Sequence, residues 1–564
     1  MHFEKDLYLK ITKRLIVKTI EELYFEEIIT LEEHDDGAFL LTINDNIYYK
    51  IKGKKSIWDN IHLNSRTLEK IVDDKLSLNI SIAEFLNEIN VFCKMSDDTL
   101  AKYIEEANQT LYSDMLIEQN LEKIDFNTLI NQDYLYLDRI SNGHPKIIMN
   151  KGRVGWSTRD ISKYSPEGNK SFKLVWVAIN RNIAISGFDK GIEKKLIEEF
   201  LGKKVFYKID FKKYHVLAIH PWQWNRYINI QYLELIANNE IIYLGELGPD
   251  FFPQISLRTL SNENNSKFDL KLSLSILNTS CVRGIPKRFI EDGYKISSKL
   301  FNIIQNDQFI SSKIEVLQEV GAISYVDKTI DSLKNCSYRY KELLGCVWRE
   351  SVDSKLIDNE KAIPTASLFL NHNNTSFIES LINNSKLSPE QWIAEYTKTV
   401  IIPLYHLQVK HGIGLVSHGQ NIILVHKNGV PSKLIIKDFH GDLRISHESP
   451  YINENSFKVI DRLSSNHLIH DLITGHFVTV LRYVSRILSE SSILTEETFY
   501  KIIREQILEY CKINSLSNNS LLLKNEIEKI LVNKVRFKVG YDELPRRPLP
   551  LLGSEIKNPL ACNV

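Results

Sequence analysis

The segment HGQNIILVHKNGVPSKLIIKDFHG, residues 418–441, constrains the fold more than any other stretch of this chain. Two apolar runs, NIILVHK and SKLIIKDF, flank Asn428-Gly429, a dipeptide suited to the left-handed backbone of a tight hairpin turn. Such runs predict two adjacent antiparallel strands. A sheet must therefore exist in a region that otherwise reads as helix. EQWIAEYTKTVIIPLYHLQVKHG predicts a long helix ending at Gly412, and NHLIHDLITGHFVTVLRYVSRIL predicts another.

The hairpin's ends are polar. His418-Gly-Gln-Asn421 opens one strand, and Lys437-Asp438-Phe439 closes the next. An Asn and an Asp at the ends of adjacent strands can converge on one Mg²⁺ and, through it, on nucleotide phosphates. Kinases place such a pair similarly, but they also need a carboxylate just before the Asn to accept a hydroxyl proton. His-Gly-Gln supplies none. A hairpin with ordinary polar caps is the competing reading.

A second texture runs from about 145 to 290, where FKLVWVAIN, YHVLAIHPWQW, IIYLGEL, FFPQISLRTL and FDLKLSLSILNTSCV predict a central antiparallel sheet. Ser256, Arg258 and Thr259 sit at a strand end, and Lys271 and Arg283 bracket a strand that carries Asn278 and Thr279. Pairing of these strands would line one face with cations, whereas each cation singly is an ordinary solvated charge. GHPKIIMNKGRVGWS (143–157) adds His144, Lys151 and Arg153 with almost no acid nearby, built either to meet an anion or to turn a corner. Residues 1–140 read as mostly helical, and so does a later stretch containing YKELLGCVWRESV. The expectation is an α+β chain with a helical N-terminal lobe (1–140), a β-rich lobe (141–370) and a helix-rich C-terminal lobe (371–564).

Totals narrow the class. With 71 basic and 71 acidic residues among 564, bulk charge argues against a nucleic-acid binder, so any anion site is local. No apolar run reaches the roughly 18 residues of a membrane span. Six scattered cysteines fit free thiols in a reducing compartment, and the charged N-terminus has no leader core, so a cytoplasmic protein is expected. Walker, GxSxG and GxGxxG patterns do not occur. HPWQW reads as an aromatic strand end in a core, and His467 and His470 lack a third metal ligand at a usual spacing.

Taken in order, the motifs GHP…KxRxG, YSPE (164–167), HPWQ, SxRT, KLS…TSxxR (271–283), HGQN, KDFxG and a late NPL (558–560) resemble those of the NRPS-independent siderophore synthetases, the aerobactin-synthetase family. They span residues 140 to 560. The resemblance implies a cupped hand of thumb, fingers and palm, the palm distantly kinase-like, with ATP and Mg²⁺ between fingers and palm. It implies an AMP-forming ligase, which converts a carboxylate of citrate or a derivative to an acyl-adenylate and condenses it with an amine or hydroxyl. By position, Ser256, Arg258, Thr259, Lys271 and Arg283 would contact phosphates or citrate, with Asn278 and Thr279 beside them. His144, Lys151 and Arg153 would wall the nucleotide, and His418, Gln420 and Asn421 would line its pocket. Arg258, Lys271, Arg283 and His418 would carry catalysis, with Asp438 and Asn421 on the metal. A homodimer is the family expectation.

Two positions depart from the family's pattern: Ile147-Ile148 replace a second His-Pro, and Val416 replaces a Glu. A subfamily with altered metal or substrate handling is the favoured reading. A kinase-like phosphotransferase and a non-catalytic nucleotide-binding homologue are the alternatives.

Overall fold

A computed structural model describes residues 4–262, 267–279, 281–372, 375–516, 520–539 and 551–561. Three large hydrophobic cores organise it.

The N-terminal core is built by helices Lys5–Phe25 and Asp97–Leu121. The second starts where Ser96 accepts the Thr99 N–H, with Asp97 and Asp98 in its first turn complementing the helix dipole. The expectation of a mostly helical lobe is corrected here, because residues 32–77 form a six-stranded antiparallel sheet. Its strands are rich in Lys and Asn, and their alternation is weak. In IYYKIKGKKS only Tyr49 and Ile51 are buried, so the period of two is carried by few apolar residues.

The central sheet has eight antiparallel strands, ordered 184–188, 319–325, 345–350, 268–272, 259–262, 241–253, 172–180 and 214–219. Thr259 pairs with Lys271 in register, as the cation motifs required. YKELLGCVWRESV is not helical: Gly345–Glu350 is a strand between 268–272 and 319–325. Its apolar density suited either period. The strand begins in close packing at Gly345, where a Cβ would stand 3.1 Å from the Ile285 and Ser273 side chains.

The predicted C-terminal hairpin is present. Strands Ile422–Lys427 and Val430–Ile436 pair antiparallel around Asn428 and Gly429, both at positive φ (51° and 87°). Strand 361–364 flanks it on one side, and 314–316 pairs parallel on the other. The chain then passes directly from Ile314–Val316, an edge strand of this sheet, into Glu319–Tyr325, the second strand of the eight-stranded sheet, which links the two sheets. The long helix from Pro389 ends at His411, with Gly412 capping it in the left-handed region (φ 61°). Glu21, Glu22 and Glu26 of the first helix tie the ends of the chain together, holding Arg486, Arg482 and Asn533. Among the described residues no helix is long and apolar enough to cross a membrane. Cys93, Cys336, Cys346 and Cys511 are free thiols, while Cys562 and Ser280 lie outside the described residues.

Candidate active site

The site begins where the two sheets meet. Lys271 Nζ lies 2.6 Å from Asp438 Oδ1 of the hairpin strand, and Arg349 Nη1 donates to Asp438 Oδ2 at 3.2 Å. Arg349 is fully buried and donates its other nitrogen to Asp269 at 3.0 Å. Burial alone would raise the Asp438 carboxyl, but Lys271, Arg349 and Lys437 outweigh it and hold the group well below the usual carboxylate range. Asp438 is therefore a permanent anion in a nest of cations. Glu319, on the strand beside that of Arg349, is 3.8 Å from Lys271 and 2.5 Å from His440 Nε2.

The fingers-side cations follow by backbone linkage. Arg258 O accepts the Leu272 N–H (2.8 Å), and Arg258 Nη1 donates to Gly284 O (2.5 Å), beside Arg283. Arg283 Nε donates to Asn278 O at 3.1 Å. Ser256 Oγ accepts the Thr259 N–H, fixing the SLRT turn. Leu257 (φ 67°), Thr279 (φ 48°), Asp438 (φ 65°) and Arg153 (φ 41°) all take left-handed backbone conformations, which a Leu or a β-branched Thr rarely does. Leu257 and Thr279 therefore hold backbone strain within the SLRT and TSxxR loops.

On the hairpin side, the His418 ring meets His144 edge-on, with centroids 5.5 Å apart. Asn421 Nδ2 donates to Val416 O and to Asp442 Oδ2, each at 3.0 Å. His418 Nε2 lies 4.0 Å from the same Asp442 carboxylate, and Gln420 N–H donates to His418 Nδ1 at 3.2 Å. The two expected metal ligands are thus committed to different partners, Asp438 to Lys271 and Arg349, and Asn421 to Asp442.

The loop 143–157 is less open than its composition suggests. Lys151 is buried on Asp114 (2.8 Å) and Asn142, and Arg153 makes a bidentate pair with Glu167 at 2.5 Å. The acids missing from the loop come from the helix before it and from YSPE after it. Lys146 is buried against Glu26 (3.1 Å). Ile148 and Met149 belong to the N-terminal core, and Lys18 Nζ donates to both Ile147 O and Ile148 O. The departure at Ile147-Ile148 thus faces the lobe contact. A β-bridge from Val154 to Leu277 ties the loop to the strand carrying Asn278. HPWQ is scaffolding: His220 is buried and accepts the Trp222 N–H, while Gln223 joins Ser275 and Leu343 O. Asn558 of NPL caps Leu522 O and Lys524 O.

Arg349, Asp269, Glu319 and Asp442 escape the sequence reading. Arg349 is hidden inside a run taken for helix. Asp442 stands four residues after Asp438, and its place directly after the KDFHG motif was the available signal.

Residues 133–370 match the model of the IucA / IucC family, and residues 390–544 match a model described as ferric iron reductase FhuF-like transporter. The chain is 32% identical to an aerobactin synthase of Vibrio mimicus over 97% of its own length and 96% of that protein's. It is 30% identical to a citryl-spermidine/3,4-dihydroxybenzoyl-citryl-spermidine:spermidine ligase of Bacillus anthracis, covering 89% and 86% of the two chains. The structure of aerobactin synthetase IucC from a hypervirulent pathotype of Klebsiella pneumoniae superposes with a TM-score of 0.86 at 28% identity, covering 99% of each chain. On these grounds the chain belongs to the IucA / IucC family of siderophore synthetases.

Proposed function

We propose that the chain is an ATP-dependent ligase that joins a citrate-type carboxylic acid to an amine in siderophore biosynthesis. One observation carries the reading: the junction where Lys271 and Arg349 of the large sheet meet Asp438 of the hairpin. Charge on one sheet is balanced there by charge on the other. A polyanion entering between them would meet Ser256, Arg258, Thr259, Lys271 and Arg283 on one wall and His418, Gln420 and Asn421 on the other. The relatives' names are of the same kind, a synthase and a ligase, and the second names citryl-spermidine and spermidine.

A hard divalent cation suits the donors, since Asp438 is ionised and Asn421, its amide nitrogen spent on Val416 and Asp442, offers an amide oxygen. Asp438 and Asn421 would hold Mg²⁺, which when bound supplies positive charge to phosphate oxygens. The acid's carboxylate is already ionised at neutral pH, so its attack on the α-phosphorus needs no base, in keeping with His-Gly-Gln before Asn421. Arg258 and Arg283 would stabilise the charge growing at that phosphate, pyrophosphate would leave, and the amine would then displace AMP. Lys151 and Arg153, each held by a protein carboxylate, would position the loop that presents His144.

The test is product analysis with ATP, Mg²⁺, a panel of citrate-type acids and an amine panel that includes spermidine. Acid-dependent AMP and pyrophosphate in equal amounts support the ligase. ADP overturns it in favour of a phosphotransferase, and nucleotide binding without turnover favours a binding homologue.

A further inference from the structure

Away from the cleft, in the C-terminal lobe, three side chains converge that the proposed chemistry does not use. His406 Nε2 lies 3.0 Å and His411 Nε2 2.8 Å from one oxygen, Asp307 Oδ2, and the three ligand atoms lie within 4.8 Å of one another. We propose that Asp307, His406 and His411 form a binding site for a first-row divalent metal ion of the Zn²⁺ type, separate from the nucleotide cleft.

The convergence needs a particular backbone. Residues five apart on a regular helix point to different faces. Here His411 is the last residue of the helix, and Gly412 at φ 61° turns the chain away. Asp307 follows the helix Gly293–Gln305, and its other oxygen is spent on the Phe309 N–H at 2.8 Å, which aims Oδ2 at the two imidazoles. Each imidazole is held from behind. His406 Nδ1 is 2.7 Å from the Tyr510 hydroxyl, and His411 Nδ1 is 3.4 Å from that of Tyr451. Phe309 stacks on His406 with centroids 4.7 Å apart. Hydrogen-bonded partners on the far nitrogen are what metal-bound histidines carry, because they fix the tautomer that leaves the near nitrogen's lone pair for the ion.

The protonation states suit a metal. Burial pushes His406 down from the ordinary imidazole value, favouring the neutral ring. Burial would raise the Asp307 carboxyl, but the two imidazoles outweigh it and hold it at about 2. A neutral His406 ring and an ionised Asp307 carboxylate are ligand forms that an ion accepts. Bonds of about 2.0–2.1 Å in a tetrahedron separate ligands by about 3.3 Å, so Asp307 Oδ2 would part from each imidazole nitrogen by about 0.3–0.5 Å. Three protein ligands leave a position for water. The ion would brace the turn before Ile314–Val316, the end of the long helix and, through Tyr510, the helix Glu496–Ile513.

The competing arrangement is a hydrogen-bond clamp with both Nε2 atoms protonated, and titration distinguishes the two. Full-length protein stripped with chelator is titrated with Co²⁺ in excess Mg²⁺, which occupies any hard-ligand site. One equivalent should bind with visible d–d absorption, Zn²⁺ should displace it, and melting should shift upward by several degrees. His411→Gln should abolish the band, and Tyr451→Phe should weaken binding about 10-fold. Asp438→Asn and His467→Gln should leave the band intact. No absorption in the wild type, a band that survives His411→Gln, or one that disappears in Asp438→Asn overturns the site. If His411→Gln does not fold, unchanged affinity in folded Tyr451→Phe overturns it instead.

Discussion

Two sets of ion pairs built from the same residue types do different work in this molecule. In the loop 143–157, Lys146, Lys151 and Arg153 are each matched to a protein carboxylate, on Glu26, Asp114 and Glu167, and each cation is buried. At the sheet junction, Lys271 and Arg349 share one acid, Asp438, which retains part of its exposure, while Arg258 and Arg283 are half-exposed and donate to backbone carbonyls. Cations neutralised one by one inside a lobe hold a shape. Cations that share an acid across two sheets can exchange partners with an entering anion. The distinction lies in where the counter-charge sits in the fold, which residue type alone does not reveal.

The largest expected effect tests the closed set. Arg153→Ala leaves the Glu167 carboxylate buried and unpaired, a loss of about 3–5 kcal/mol, read as a lower denaturation midpoint. Replacing both partners with apolar residues, Arg153→Met with Glu167→Leu, should recover most of it. A variant with unchanged stability and no activity would move Arg153 into the ligand-binding set.

The open set predicts the reverse signature. Arg258→Ala and Arg283→Ala should each lower kcat/KM about 10²–10³-fold, equivalent to about 3–4 kcal/mol of transition-state stabilisation. Thermal melting should stay near wild type, since both side chains are partly exposed and donate to backbone carbonyls. A melting loss proportional to the activity loss would erase the contrast between the two sets.

How much of this was legible in the sequence depends on where each signal was stored. The hairpin was legible because Asn428-Gly429 dictates its turn and the apolar runs dictate its strands. That SLRT and KLS end in paired strands was legible. Lys271 and Arg283, however, do not bracket one half-exposed strand: the run breaks at Ser273 into Phe268–Leu272 and Leu274–Asn278, both mostly buried and in different sheets. The N-terminal sheet was not, because its buried positions are few and its exposed face is Lys- and Asn-rich. Arg349 was not, because its meaning comes from Asp269 and Asp438, one on the adjacent strand and one from another sheet. The partners of Lys151 and Arg153 were missed for the same reason: charge compensation at long sequence separation leaves no local pattern. Motif order carried the family, whereas the division of cations into closed and open sets needed the fold.

A smaller effect tests the departure from family pattern. Ile147 is 6% exposed beside the N-terminal lobe, so Ile147→His, which restores the family's second histidine, buries a polar ring. It should cost about 1–3 kcal/mol of stability and leave kcat/KM unchanged. A rise in kcat/KM would show that the position faces the chemistry after all.

The remaining test concerns an acid on the hairpin side that fits neither set. Asp471 is buried and paired with Arg444, and its backbone oxygen accepts the Ser417 N–H at 3.0 Å, next to His418. Burial, with Asp442 nearby, pushes its carboxyl up to about 7 despite Arg444. The native state then keeps a proton that the unfolded chain releases near pH 4, so the unfolded state binds fewer protons and stability falls as pH rises from about 4 to about 7. The decline attributable to this group has a ceiling of about 4 kcal/mol, about 1.4 kcal/mol for each of about three pH units, and Asp471→Asn, which cannot titrate, should remove it from a denaturation series across that range. A slope unchanged in Asp471→Asn would mean that Arg444 already neutralises the carboxylate, making the pair one more closed bracket of the kind formed by Arg153 and Glu167. A slope that vanishes would mean that Asp471 enters the fold as the neutral acid, its charge removed by burial below about pH 7.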